Sequence, residues 1–197
     1  MANRREFLGT GLAVTALPIA GVLASQAHAA AAAAPVQLHK VVHDERFADS
    51  RAFADRARRL GGKTHGIEGD VTALWFNDLD QQWRTAPSVI GGLTSAAALF
   101  CLERLAWDQG HRTVFRAEHT PLAGGGFRHT VIGGQDPKAL AKDLKTAGAA
   151  WPVLIAQTLL GMPAGALAAA PLPGPVNTLK GQSQGPLLVS WLIAPKA

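Results

Sequence analysis

The chain has 197 residues, 48% hydrophobic and 17% charged, with a formal charge of +5. That balance supports one globular domain with its own core and excludes a disordered chain. One cysteine, Cys101, and no tyrosine exclude an internal disulfide, a Cys-x-x-Cys-His haem attachment, an all-cysteine iron–sulfur site and any mechanism built on a tyrosine acid.

The N-terminus comes first in chain order. Asn3-Arg4-Arg5-Glu6-Phe7-Leu8 is followed by a mildly apolar run from Gly9 to Ala24 and an A-x-A site at Ala27-His28-Ala29. This layout resembles a twin-arginine (Tat) signal peptide, whose core is two arginines, any residue, Phe and Leu. Pro18 and the Gly/Ala/Thr-rich run argue against a permanent membrane span. The resemblance covers residues 1–29 alone. It implies folding before export, a periplasmic location, and frequently a cofactor or a co-exported protein partner. Removal of Arg4, Arg5 and Glu6 lowers the formal charge by one. The remaining chain has no block of like charges and no aromatic–basic interleaving, so nucleic acid is not an expected partner.

Residues 30–37 are an alanine-rich spacer, and 38–197 are expected to form a single α/β domain. Leu38–His43 reads as a strand. Asp49 is expected to cap a helix that runs to Leu60 with Phe53, Ala57 and Leu60 on one face, ended by Gly61-Gly62. Lys63–Ile67 is a second strand. Asp70 opens a helical segment through Arg84 whose apolar side, Leu74, Leu79 and Trp83 with Trp75 and Phe76, is irregularly spaced. After Pro87 comes a short apolar strand, a Gly91-Gly92-Leu93-Thr94-Ser95 turn and a helix from Ser95 to Gly110. That helix is apolar nearly all round, which predicts burial and, for Cys101, an inert buried thiol. His111–His119 and Phe127–Gly133 alternate at period two around TPLAGGG and read as an antiparallel hairpin. Asp136-Pro137 starts an amphipathic helix with Leu140 and Leu144 inward. Thr146–Leu179 carries no charge. It is read as a buried helix, Val153–Leu160, and a Pro/Ala/Gly-rich connector at 161–176, its prolines arguing against a transmembrane segment. Pro186–Ile193 is a closing strand.

This alternation predicts an α/β three-layer sandwich on a mostly parallel sheet, in Rossmann-like or flavodoxin-like order, plus the antiparallel hairpin. Right-handed crossovers place strands one, three and four together, with strand two outside strand one. A crevice is then expected at the C-terminal ends of those strands. It would gather Asp44 and Arg46 from strand one, Gly91, Gly92, Thr94 and Ser95 from strand three, and Glu118 and His119 from strand four. An arginine beside a hydroxyl-capped helix start is suited to a small anionic ligand, although Thr94 and Ser95 are equally ordinary caps. Gly-Gly-x-Thr-Ser lacks the lysine of a P-loop and the spacing of a dinucleotide fingerprint, and no G-x-S-x-G elbow occurs. His43, His119 and His129 have no metal-ligand spacing, so no metal is assigned and the cofactor stays unknown. Two functions follow. One is a non-catalytic periplasmic accessory subunit or binding module, the uncharged Thr146–Leu179 segment supplying a contact surface for an exported redox enzyme. The other is a small enzyme or anion-binding protein using the crevice.

Overall fold

Val41 and Val42 are neighbours in one strand, so they point to opposite faces, and both are fully buried. A sheet that buries both faces needs a helical layer on each. The computed structural model has that arrangement. It describes residues 34–168, 172 and 187–196; the leader, residues 30–33 of the spacer and part of the connector lie outside them.

The sheet has six strands in the order β2-β1-β3-β6-β4-β5. They are β1 (Leu38–Asp44), β2 (Thr64–Ile67), β3 (Val89–Ser95), β4 (His111–Pro121), β5 (Phe127–Gly133) and β6 (Leu188–Pro195). β1 pairs in parallel with β2 and β3, while β3–β6, β6–β4 and β4–β5 are antiparallel. The α/β expectation holds, but the sheet is mixed rather than mostly parallel, and strands three and four are not neighbours. β6 lies between them. Every residue of β6 from Leu188 to Ala194 is buried. A strand apolar on both faces gains most from a central position, with both edges paired.

One face of the sheet is covered by α1 (Ala48–Arg59), α4 (Pro137–Ala147) and α5 (Trp151–Leu160). Its core includes Val41, Phe53, Leu93, Phe115, Trp151, Ile155 and Leu192. The apolar residues of α5 are spent on this core. α1 starts after an extended Phe47 with no side-chain cap; Asp49 sits in its first turn instead of capping it. Within the spacer, the Val36 N–H donates to Met162 O at 2.8 Å and Pro35 bridges to Pro163.

The opposite face carries α2 and α3 (Ala96–Asp108). α2 comprises Thr72–Leu74, a π-helical Trp75–Leu79 and Asp80–Thr85. The π turn explains the irregular spacing read from the sequence. The five-residue step from Leu74 to Leu79, then four to Trp83, keeps all three buried on the sheet. In α3, Leu99, Leu102 and Ala106 face inward, but Phe100 is 48% and Trp107 37% exposed, and Cys101 is exposed. The helix is therefore not buried all round and its thiol is not a core thiol. Arg104 covers part of that outer face, its guanidinium 3.4 Å from the Trp107 ring centroid.

Candidate functional site

Of the expected crevice residues, Gly91 and Gly92 do not form a turn. Both lie within β3, opposite Val41 and Val42 of β1 and Leu192 and Trp191 of β6. Their backbone belongs to the ladders and is not free to hold an anion. A Cβ on Gly92 would press on Val42 O and lie 2.8 Å from Trp191 Cζ2; one on Gly91 would lie 2.6 Å from Leu192 Cδ2. These glycines make room for the large residues of β6.

Thr94 is fully buried and accepts the Trp191 indole N–H at 3.0 Å, so it is neither a cap nor an open hydroxyl. Ser95 is the N-cap of α3, accepting from Ala98 N–H at 3.4 Å. Asp44 is fully buried and accepts a bidentate pair from Arg46, Nε at 2.9 Å and Nη2 at 2.7 Å. Burial works against its charge. The Arg46 guanidinium and backbone N–H, helped by the Ser95 N–H, outweigh that and hold its carboxyl below the usual range. Arg46 also reaches Ser95 Oγ at 3.4 Å. The anion position beside the start of α3 is thus filled by the chain's own carboxylate. Behind it, the Asp44 N–H donates to Ser50 Oγ, which donates to Leu93 O.

Glu118 and His119 do not join this cluster. Adjacent strand residues project to opposite faces, and β6 separates β4 from β3. Arg116, in phase with Glu118, lies on the α3 side, 3.8 Å from Glu103. Glu118 is only partly buried. His119 lies on the α5 side, fully buried and stacked on Trp151 with ring centroids 4.1 Å apart. Its Nδ1 is 2.7 Å from Nδ1 of His129, and its Nε2 is 2.9 Å from Ser190 Oγ. A contact between two Nδ1 atoms needs one donor and one acceptor. Burial, and secondly His129, depresses the His119 pKa well below the ordinary value; burial also lowers that of His129. Both depressed pKa values favour neutral rings, one Nδ1 donating and the other accepting.

Outside this chain of hydrogen bonds is a cavity of about 470 Å³, bordered by Asp49, Leu122, Phe127, His129, Lys145 and Trp151 among others. It lies at the carboxyl edge of the sheet, where the crevice was expected, but on the α1/α5 face. None of the eight expected residues lines it. A second cavity, of about 350 Å³, lies between Gly133–Leu140 and Gln157–Ala166, and is bordered by residues of the connector.

The sequence marks Asp49 as a helix cap and His129 as a histidine without metal-ligand spacing, and singles out neither Lys145 nor Trp151. The hairpin contained the missing signal. Pairing Pro121 with Phe127 across the loop and counting back puts His119 opposite His129, which is the observed register.

The fold and site define an α/β protein with a three-layer mixed-sheet architecture and a ligand-sized cavity at its carboxyl edge. Comparison of the chain with protein-family models, curated proteins and solved structures finds no match in any of the three. Among the described residues, no three His, Cys, Asp or Glu side chains are grouped to hold a metal ion, and no helix is long and apolar enough to cross a membrane.

Proposed function

We propose that the chain is a Tat-exported periplasmic binding module, non-catalytic, which holds a small ligand at the carboxyl edge of its sheet. The observation that carries this reading is the division of labour along that edge. Asp44, Arg46, Thr94 and Ser95 are consumed in structural bonds, whereas Asp49 and Lys145 border a cavity without ion-pair partners among the described residues. Ser190, the hydroxyl beside the histidines, is fully buried in β6 and has no access to a substrate carbonyl. Export rests on the Arg4-Arg5 leader. Native mass spectrometry of the untagged protein from periplasm is the test. A bound small molecule, lost when Phe127 and His129 are replaced by Ala, is the expected result. A chain that arrives empty and whose melting temperature no amino acid, carboxylate, sugar or phosphate shifts would overturn the reading.

The accessory-subunit reading has its own support in the aromatic face of α2 and α3. Phe76 is 71% exposed there and, with Phe100, borders a cavity of about 390 Å³. Co-purification of one stoichiometric exported chain, abolished by Phe76→Ser with Phe100→Ser, would favour it over ligand carriage.

A further inference from the structure

The walls of the carboxyl-edge cavity have two chemically different ends. Asp49 is half-buried in the first turn of α1, where the helix dipole favours an anion. It forms no hydrogen bond or ion pair among the described residues, and burial pushes its carboxyl up from the usual value. An unpaired half-buried carboxylate is satisfied by a cation or a strong donor.

Beside it stand Phe127, His129 and Trp151, with centroid separations of 5.2, 5.5 and 6.2 Å around the three pairs. Aromatic faces next to a carboxylate are the setting that attracts an organic ammonium. The neutrality of His119 and His129 matters, because an imidazolium there would repel it. Trp151 is fully buried, so the rings that meet a ligand are those of Phe127 and His129, with Trp151 packed against them.

Lys145, exposed in the last turn of α4, is the ammonium among the lining residues. A simple anion would meet Asp49, and a simple cation would meet Lys145. One small molecule carrying both charges meets neither objection. The volume of about 470 Å³ lies in the range of small-ligand sites.

We propose that this cavity binds a small zwitterion of the amino-acid or betaine class, its ammonium against Asp49 and the aromatic wall and its carboxylate toward Lys145. The inference rests on the ligand-binding reading above and specifies its substrate class. Titration calorimetry of the mature chain with glycine betaine, L-leucine, choline and isovalerate tests it. At least one zwitterion should bind tenfold or more tightly than choline, which has only the ammonium, and isovalerate, which has only the carboxylate. Asp49→Asn should weaken that zwitterion and choline at least tenfold and leave isovalerate unharmed; Lys145→Met should do the reverse for the two half-ligands. Circular dichroism establishes that both variants fold. Equal affinity for isovalerate and the zwitterions, or a zwitterion unaffected by both substitutions, would overturn the proposal. A native ligand that none of the four probes displaces would also overturn it while leaving the binding-module reading intact. An empty protein that binds none of them overturns this proposal, and the binding-module reading falls with it only if sugars and phosphate also leave the melting temperature unchanged.

Discussion

Replacing Gly92 by Ala distinguishes a glycine that frees a turn for an anion from one that admits a tryptophan. In a turn facing solvent the added methyl would cost little. In β3 it must enter between two strands and a ring. The new Cβ falls against Val42 O, a backbone atom of β1 fixed in the parallel ladder, and 2.8 Å from Trp191 Cζ2. Neither is the free end of a flexible chain. Relief requires moving β1 or tilting Trp191, whose indole N–H is bonded to buried Thr94 Oγ1 at 3.0 Å. Overpacking of this kind costs about 1–3 kcal/mol, and losing a buried hydrogen bond adds about 1 kcal/mol. The expected loss for Gly92→Ala is therefore about 2–4 kcal/mol, or a fall of roughly 5–15 °C in Tm for a domain of this size. Gly91→Ala meets the flexible Leu192 Cδ2 first and should cost less, about 1–2 kcal/mol. Gly124→Ala, with no atom within 4 Å and no positive φ, should fall within about 0.5 kcal/mol of wild type. Urea unfolding of the mature chain gives all three. A Gly92→Ala midpoint indistinguishable from that of Gly124→Ala would refute the packing argument and restore the turn.

Arg46→Ala should destabilise the fold by about 1–3 kcal/mol, because it strands a buried carboxylate, the lower part of the range reflecting a half-exposed guanidinium. The Asp44 pKa is depressed in the folded state, so its contribution is present above the ordinary carboxylate value and lost as pH falls through the folded one; the variant should show a flatter stability profile below about pH 4. His119 is also depressed, but it is a base. The unfolded chain takes up a proton below about pH 6.5 that the folded chain refuses, so stability falls on acidification by up to about 1.4 kcal/mol per pH unit for that proton. Denaturant midpoints for His119→Asn between pH 7.5 and 5.5 should show a shallower slope than wild type; an unchanged slope would mean that His119 titrates normally in the fold.

The elements were legible in the sequence wherever period and punctuation agreed. Asp136-Pro137 marks α4, with Asp136 accepting from Ala139 N–H at 2.9 Å, and Gly110 closes the turn after α3 with φ 72°. Strand order was less legible. Crossover rules apply to successive parallel strands, and nothing local in LVSWLIAP says that the last strand inserts antiparallel between β3 and β4. Its lack of alternation was the available hint, since a run apolar on both faces, with Ser190 the one polar residue, belongs in the middle of a sheet. The expected crevice residues fail to converge for a related reason. Glycines followed by hydroxyls look alike whether they form a turn or thin a strand for a neighbouring tryptophan, and Trp191 is far away in sequence. Asp44 paired with Arg46 is a local contact that the sequence permits without requiring.

The position of β6 accounts for where the unspent chemistry lies. Had β3 and β4 been neighbours, their carboxyl ends would have shared one crevice with β1. β6 occupies that gap and enters the sheet at this edge, so Leu188 and Ser190 take the space and the edge divides. On the α3 side the helix start, Asp44 and Arg46 complete one another, and the charge balance closes without a guest. On the α5 side Ser190 and His119 satisfy one another within the sheet, and His119 passes its remaining hydrogen bond outward to His129. Of these groups, His129 alone reaches the cavity, carrying a neutral ring where Asp49 and Lys145 lack partners among the described residues. Polar groups without an internal partner must be met by water or by a ligand. Because the aromatic rings of Phe127, His129 and Trp151 frame them, a ligand with an apolar or ammonium surface competes with water best there.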